Sequence, residues 1–440
     1  MRRNVRQIVT SAIVAGVGLT LVAGALSAAP LNDELRVLLT SHPQIRSAEN
    51  TSEAARYGIE EADSAFYPTM ALSGDTGAER TDSPARRATG EDAFSIRRDK
   101  LTLTVTQNLF NGYRDDAGSK AATYSAREAQ MSLYGTRMNL LFEGVSKYLD
   151  VLLNVRLIEI ARQNESTIQT QLELEDERVQ RGSGITVDVA QAKSRLQVAK
   201  QERVLFEGNL KAALARYKQL FGHIPEPSDL QDARPDPGLA PASLEEAVQL
   251  GLKQNPQLLL VRFRSDAARE RKRVAKADYF PSLDLVGTLD YQDNNGSTRD
   301  IEREQSLLLK ANWEFFSGFK TRARVEAAAR AYAATNDDYN FASRRIEEDV
   351  EIAFAKLETD VKRVELLQNA VNIAEEVFIA RAKLREAGKG AQLDVLDAQS
   401  EVFSAKLNLI KADYDSRIAV YRLAQATGSL TPQRLNVAVK

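Results

Sequence analysis

The sequence predicts a mainly α-helical protein that is duplicated within one chain and that carries a smaller β part. Proline is absent from residues 85–224 and 282–431, and proline-free stretches of that length favour helix. A glycine-marked polar turn occurs at residues 181–189 and again at 387–395, with a constant offset of 206 residues. Four runs alternate apolar and polar side chains with period two, which is typical of strands. Together these observations predict two long helical hairpins and four strands per chain.

Composition excludes several classes of function. The chain is 43% hydrophobic and 27% charged, as expected for a folded protein, and its formal net charge is only −2. A surface for nucleic acid is therefore not expected. The absence of cysteine excludes disulfides, thiolate zinc sites and a lipid-modified N-terminal cysteine. His42 and His223 are the only histidines, and no catalytic triad, metal cluster or phosphate-binding loop is present. We therefore predict that the chain has no catalytic, cofactor-binding or metal-binding residues and that it is not an enzyme.

Residues 1–28 predict a secretory signal peptide, with a basic start, an apolar core and small residues before a cleavage site after Ala28. The apolar core is long for a signal peptide, so an uncleaved anchor is the alternative. The remaining chain is predicted to form a first repeat, a proline-rich linker, a second repeat and a C-terminal tail, at residues 29–222, 223–242, 243–428 and 429–440.

Each repeat begins with a helix, at about residues 31–66 and 244–280, which is interrupted at Pro43 or Pro256 and ends at an aromatic pair followed by proline. The strands follow, two in each repeat, at about residues 67–78, 100–110, 281–292 and 304–316. The alternating run within each strand has about 9–11 residues with one apolar face, which is enough to cross an outer-membrane core when tilted. The alternation alone fits equally a membrane β-barrel and a soluble four-stranded sheet packed on the helices.

Long helices are predicted at about residues 113–180 and 319–387, and return helices at about 185–221 and 391–427. Nearly seventy residues at 1.5 Å rise reach roughly 100 Å, and such a helix needs partners along its whole length. In the second long helix, an apolar seam with 3–4 spacing runs from Ile346 to Phe378 and predicts a coiled coil.

Four membrane strands cannot close a barrel, and open sheet edges are not tolerated in lipid. Two chains would give eight strands, which fill their own interior. Three chains would give twelve, the smallest such assembly expected to leave a usable pore, and would also supply twelve helical stretches at any level of the rod. If the strands are membrane strands, geometry thus predicts a trimeric barrel continued by a helical tunnel.

The order of elements, given twice behind a signal peptide, resembles the TolC family of outer-membrane efflux and secretion channels. The motif that carries the resemblance furthest is residues 393–398 after Gly388, matched by residues 186–189 after Gly182. The strand-to-helix junctions at residues 110–112 and 316–318 also match. The resemblance covers essentially the whole mature chain. It implies a homotrimer with a twelve-stranded β-barrel in the outer membrane of a Gram-negative bacterium and a long α-helical coiled-coil barrel in the periplasm.

The resemblance also implies a passive export channel in contact with outer-membrane lipid. Its partners would be a periplasmic adaptor protein and an inner-membrane ABC or RND-type transporter, and its cargo secreted proteins, small toxic molecules or both. The alternative is a periplasmic coiled-coil adaptor or structural rod without a pore. A rod would not need four strands with aromatic ends, and an adaptor would be expected to carry a lipoyl-like or β-barrel domain with many more short strands.

Five tip residues match or replace residues of the family's channel entrance. Asp394 and Asp397 match aspartates that ring the entrance and would attract cations; the alternative is that they stabilise the start of a helix through its dipole. Asp188 matches a tip aspartate that helps to hold the closed state. This chain departs from the family gate because Gly390 replaces a basic residue and Arg385 replaces an aromatic one. An arginine is therefore still available from a different position, and the sequence leaves open whether Arg385 reaches Asp188 of a neighbouring copy.

Glycines mark both tip turns, at Gly182 and Gly184 in the first repeat and at Gly388 and Gly390 in the second. Two roles are open for them. They could form the surface on which the adaptor docks, or they could only end the long helices, since glycine accepts the left-handed backbone that stops a helix.

Overall fold

A computed structural model describes residues 31–82, 84–90, 94–295 and 298–437. The predicted signal peptide lies outside the described residues. The helices and strands follow one another in this order: α1 Leu31–Ser41, α2 Pro43–Asp63, β1 Thr69–Thr81, α3 Pro84–Ala88, β2 Phe94–Phe110, α4 Arg114–Gln180, α5 Thr186–Phe221, α6 Leu244–Gln254, α7 Pro256–Lys276, β3 Ser282–Asn295, β4 Thr298–Asn312, α8 Lys320–Glu386 and α9 Gln392–Ala426.

The proline interruptions begin new helices rather than kinking one. His42 and Asn255 are the N-caps of α2 and α7, and each accepts a hydrogen bond from a backbone N–H two residues later, with proline at the first helical position between them. Proline is favoured there because its missing N–H would have no helical partner. The two repeats therefore start with the same broken helix, and in each a single 3₁₀ turn leads to the first strand.

Two strand bounds differ from the sequence prediction. β2 begins at Phe94 rather than near residue 100, and β4 spans Thr298–Asn312 rather than 304–316. The ladder of backbone hydrogen bonds continues through the polar segments that the prediction assigned to connections, because backbone pairing does not require apolar side chains. Phe315 and Phe316 consequently lie beyond the end of β4 and not within it.

The four strands form one antiparallel sheet in the order β1-β2-β3-β4. The central pair joins the two repeats, with Leu103 opposite Leu289 and Thr104 opposite Thr288. Strands β1 and β4 are the edges of this sheet. Polar side chains on one face bond across the strands; Asn108 Nδ2, for example, donates to Asp284 Oδ1 over 2.7 Å. The opposite face carries exposed leucines, so the sheet has one polar and one apolar face.

The helices lie side by side, four at each level. Next to the sheet the order is α2, α4, α7 and α8, and towards the far end it is α5, α4, α9 and α8. Helix α4 contacts helices of both repeats, whereas α8 lies at one lateral edge. Among the described helices none combines the length and apolarity needed to span a membrane.

The main core lies midway along the helices, where the linker and the tail pack against them. Leu230 and Leu239 of the linker and Leu430 and Val437 of the tail are buried there. Tyr148 of α4 fixes the linker, because its hydroxyl donates to the carbonyl of Gln231 at 3.0 Å and accepts from the N–H of the same residue at 2.9 Å. Burial raises the pKa of Tyr148 to about 12. The proline-rich linker is thus a fixed part of the core and not a loose connection.

Asp278 joins the two long helices where they leave the sheet. Its carboxylate accepts hydrogen bonds from Arg114 at the start of α4 and from Arg324 at the start of α8, the latter over 2.8 Å. Partial burial opposes ionisation of Asp278, but the hydrogen bonds from Arg324 and Arg114 outweigh it, so that the pKa of this carboxyl lies below its usual value. Such charge-assisted bonds are among the stronger ones in proteins.

We predict that Asp278→Asn destabilises the chain at neutral pH by about 1–3 kcal/mol, because two arginines lose their charged acceptor. A lowered folded-state pKa gives stability that is present above the unfolded pKa and is lost as the pH falls through the folded one. The difference from wild type should therefore vanish at low pH. Denaturant unfolding in detergent, followed by circular dichroism in steps from pH 7 to pH 2, measures this.

The matched control is Glu60→Gln, which removes an exposed partner of Arg56 and should change the unfolding free energy by less than about 1 kcal/mol. A destabilisation by Asp278→Asn that persists unchanged at the lowest pH would contradict an electrostatic role for Asp278.

Candidate functional site

The far ends of the two hairpins are built in the same way. Gly182 and Gly388 follow α4 and α8 with φ of +77° and +73°. The next N–H in each turn, that of Ser183 or Lys389, donates 2.9 Å back to the carbonyl of Arg178 or Leu384. This is the helix stop that requires a left-handed residue, which is why glycine stands there.

The second glycine of each turn is needed for a different reason. A Cβ at Gly184 would lie 2.7 Å from the backbone nitrogen of Val179, and one at Gly390 would lie 3.2 Å from that of Arg385. The chain passes too close to the end of the preceding helix for a side chain to fit easily. Turn geometry therefore accounts for all four glycines, and a role of these residues in adaptor docking stays a prediction.

Arg385 of α8 connects the two hairpins within one chain. Its Nη2 donates to Glu175 Oε2 of α4 at 2.6 Å and to Asp188 Oδ2 of α5 at 2.9 Å, while its Nε donates to Glu175 Oε1 at 3.2 Å. Its Nη1 also donates to the carbonyl of Gly390 at 3.3 Å. The two residues that the sequence predicted at the gate, Arg385 and Asp188, thus meet within one copy.

Glu175 is the member of this cluster that the sequence analysis missed. Its side chain is only 2% exposed, and it is also bonded by Arg178 at 2.8 Å. The hydrogen bond that Arg385 donates to Glu175 is the main reason why the pKa of Arg385 is raised. A buried carboxylate with two arginine partners is costly to leave unpaired. Glu175 lies among many acidic residues at the end of α4, so nothing in the sequence distinguished it.

Asp394 and Asp397 lie on the first turns of α9 with side chains about half exposed, and each is paired with an arginine. Arg381 of α8 lies 3.2 Å from Asp394, and Arg195 of α5 lies 2.7 Å from Asp397. The two aspartates are therefore not bare carboxylates. They alternate with arginines at the tip, and the second pair again joins the two hairpins of one chain.

A second tip residue that the sequence did not single out is Gln392, the first residue of α9. It is fully buried, and neither atom of its amide finds a hydrogen-bond partner among the described residues. An unsatisfied buried amide costs about 1–3 kcal/mol. The tip conformation seen here therefore bears a local cost next to residues that hold it together. Its only sequence signal was a polar residue at the start of a helix, where polar residues are common.

Exposed apolar side chains surround this polar tip. Ile185 and Val187 in the first turn and Leu393 in the second are at least 40% exposed. In the described part of the chain, no group of three or more histidine or carboxylate side chains is arranged to hold a metal ion. The tip thus combines ion pairs between the two hairpins with an exposed apolar rim.

Comparison with known proteins identifies the family. The family model described as outer membrane efflux protein matches residues 35–223 and 247–429, which is one segment for each repeat. The outer membrane protein TolC of Vibrio cholerae is 24% identical over 397 residues, covering 89% of this chain and 89% of that protein. The alkaline protease secretion protein AprF of Pseudomonas aeruginosa is 25% identical over 412 residues, covering 91% and 84%.

A solved structure shows the same fold. The outer membrane channel CmeC of Campylobacter jejuni superposes with a TM-score of 0.79 at 14% identity, over 91% of this chain and 85% of that one. Its resemblance extends through both repeats, the helical part and the sheet. The chain therefore belongs to the outer membrane efflux protein family, and it is an outer-membrane channel protein with its helical part in the periplasm rather than a periplasmic adaptor or rod.

Proposed function

We propose that three copies of this chain form a passive export channel, in which a twelve-stranded barrel crosses the outer membrane and a twelve-helix tunnel crosses the periplasm. The observation that carries this proposal is an apolar stripe on the outer side of α8. Its members are more than 40% exposed in the single chain: Phe341, Ile352, Leu366, Ile373, Val377 and Leu384. At 3.6 residues per turn they project into a sector about 60° wide.

This α8 outer stripe differs from the seam that α8 uses within its own chain. The buried residues Ile346, Val350, Ala353, Val371 and Ala374 lie about 130° around the helix from it. A helix with two apolar seams packs between two neighbours. One neighbour is α9 or α7 of the same chain, and we assign the other to the next copy.

Helix α5 at the opposite edge of the chain offers a matching surface. Val187, Val198 and Leu205 are 49–59% exposed and project into one sector about 20° wide. Because the two stripes lie on different edges, contact between α8 of one copy and α5 of the next is head-to-tail. Such contacts generate closed rings when the rotation between copies fits.

The sheet supports the same arrangement. With four antiparallel strands, the edge strands β1 and β4 run in opposite directions. If β4 of one copy pairs with β1 of the next, the whole ring stays antiparallel and no edge remains in lipid. Two copies would give eight strands, which leave no open lumen, so three is the smallest ring with a pore.

The cargo passes without chemistry in this proposal. One relative, AprF, is named an alkaline protease secretion protein, and another, TolC, is named an outer membrane protein. We extend to this chain the general role of export with a periplasmic adaptor and an inner-membrane transporter of the ABC or RND type. The exposed apolar residues Ile185 and Leu393 of the rim are the surface we assign to the adaptor. Secreted proteins and small toxic molecules both remain candidate cargoes.

Opening would separate the two hairpins of each chain. We assign the closing contact to Arg385 with Glu175 and Asp188, and the cation-attracting entrance to Asp394 and Asp397. A contact that lies wholly within one chain allows a copy to open independently of its neighbours. Adaptor binding would compensate for the loss of these ion pairs.

We predict that Ile373→Glu prevents trimer formation without unfolding the chain. Ile373 is 62% exposed in the single chain, but in the proposed ring a carboxylate there would be buried without a partner, at a cost of about 3–5 kcal/mol. Light scattering of the purified protein in detergent measures the mass, and circular dichroism measures the helix content.

The control for this variant is Asn372→Glu, which adds the same charge to the adjacent, exposed residue outside the stripe. It should remain trimeric. If Ile373→Glu were as trimeric as the control, the α8 outer stripe would not be the contact between copies.

We predict that Arg385→Gln raises the open probability of the channel by at least tenfold. A tenfold change in the open probability corresponds to about 1.4 kcal/mol. That is less than the cost of about 3–5 kcal/mol for removing one partner of a buried ion pair. Single-channel recording in planar bilayers measures this. Arg181→Gln is the control, because it removes an arginine whose pair with Glu177 is exposed on both sides.

A double variant, Glu175→Gln with Arg385→Gln, tests whether the two residues act together. Its effect should be clearly smaller than the product of the two single effects, since the double change removes the charge of Glu175 together with that of its partner Arg385. Purely multiplicative effects would show that Glu175 and Arg385 are not a unit in gating.

We predict that Asp394→Asn with Asp397→Asn lowers the preference of the open channel for cations over anions. Both carboxylates face the same end of the hairpins, and a ring of charged side chains selects ions of the opposite sign. Reversal potentials in asymmetric KCl measure the preference. The control variant, Glu177→Gln with Glu386→Gln, removes two other acidic residues of the tip. An unchanged reversal potential in the aspartate variant would contradict the prediction and would leave Asp394 and Asp397 with the alternative role of stabilising the start of α9.

A further inference from the structure

The apolar face of the sheet has different chemistry at its two ends. In β2 its apolar residues run from Leu109 near the helices to Leu101, and eight residues at 3.3 Å rise correspond to about 27 Å along the strand. That is close to the height of a lipid-facing band when the strand is tilted. At the helical end, this band is bordered by exposed aromatic side chains that include Tyr67, Phe280 and Trp313.

At the hairpin end the same face carries arginines instead. Arg303 lies in the row of Leu101 and Tyr291, at the rim of the band. Farther along, Arg97 is placed opposite Ala78, and Arg80 opposite Ser95. We call Arg80, Arg97 and Arg303 the outer arginine cluster. Because the helical part lies in the periplasm, the hairpin end faces the cell exterior and the outer leaflet.

The side chains of this cluster are available to a ligand. Arg97 is 76% exposed and uses only its Nε, which donates to Asp99 Oδ1 at 3.1 Å. The guanidinium of Arg303 lies 5.8 Å from the ring of Tyr291, and such stacking holds a guanidinium without using its N–H groups. Arg80 is exposed as well. Among the described strand residues, the acids on this face at the same levels are Asp99 and Asp293, against three arginines.

The opposite face of the sheet shows that this excess is specific to one side. There Arg98 lies 3.2 Å from Asp75 and 3.4 Å from Glu79, and Lys100 lies 3.8 Å from Asp290. Two cations of the polar face, Arg98 and Lys100, are thus engaged by carboxylates of the same sheet. Further acids on that face, Glu302 and Glu304, leave it with an excess of negative charge.

We propose that the outer arginine cluster binds the phosphate groups of the phosphorylated glycolipid that forms the outer leaflet. This inference rests on the proposed function, because it needs the sheet to lie in the membrane. Arginine is suited to phosphate because its planar guanidinium donates two parallel hydrogen bonds. An apolar band below and arginines at successive levels above it match acyl chains and the phosphorylated headgroup region, respectively. The bound lipid would fix the height of the barrel in the membrane.

The test compares wild type with the variant Arg80→Gln, Arg97→Gln, Arg303→Gln. The purified full-length protein in detergent is titrated with bisphosphorylated lipid A, and bound lipid is counted by native mass spectrometry. We expect the triple variant to bind at least about tenfold more weakly, which corresponds to about 1.4 kcal/mol. Dephosphorylated lipid A with the same acyl chains should bind wild type as weakly as it binds the variant.

A control variant carries the same change of charge on the polar face: Arg98→Gln, Lys100→Gln and Lys310→Gln. It should bind lipid A like wild type. Equal binding by the outer triple variant and wild type would overturn the proposal, and so would equal weakening in both variants, since that would reflect net charge alone.

Conductance in planar bilayers separates the failure of this inference from that of the proposed function. Pores in wild type and in both variants, together with unchanged lipid A binding, would refute the lipid site but keep the channel. No pores in any of the three proteins would refute the channel itself.

Discussion

A helix of 67 residues, the length of both α4 and α8, extends about 100 Å and is stable only if other elements cover its apolar side chains along that distance. Helix α4 meets this requirement within the chain, because helices of both repeats pack around it. Helix α8 does not, because it lies at a lateral edge and keeps a second apolar stripe exposed. The shortage of partners for α8 is the physical basis of the proposed ring of copies.

The sheet is incomplete for a related reason. Its two edge strands present backbone donors and acceptors that lipid cannot satisfy, just as α8 presents apolar side chains that water does not favour. Both shortages occur at the same lateral edges of the chain, since α8 follows β4 and α2 precedes β1. A ring of copies would resolve both at once. The duplication matters here, because two repeats give an even number of strands and hence edges that can pair in an antiparallel ring.

The tip is where the assembly could change without losing these contacts. Its ion pairs connect the two hairpins of one chain, and the key carboxylate, Glu175, is buried between two arginines. Nearby, the unsatisfied amide of Gln392 adds a cost to the conformation seen here. An element that alternates between two conformations would combine stabilising ion pairs with a free-energy cost of this kind. The middle of the chain, by contrast, is held by the linker and the tail, which pack into the main core.

The sequence by itself determined the duplication, the broken first helices, the long hairpins and the position of the tip, because these depend on local signals: proline at helix starts, glycine at helix ends, and the periods of apolar residues. It also placed Asp188 and Arg385 at the tip. Only the tertiary structure decided that Arg385 meets Asp188 and Glu175 in the same chain, that arginines pair with Asp394 and Asp397, and that β2 and β4 start earlier than predicted. Those outcomes depend on which residues, far apart in the sequence, are brought within hydrogen-bonding distance, and spacing along one chain does not encode that distance.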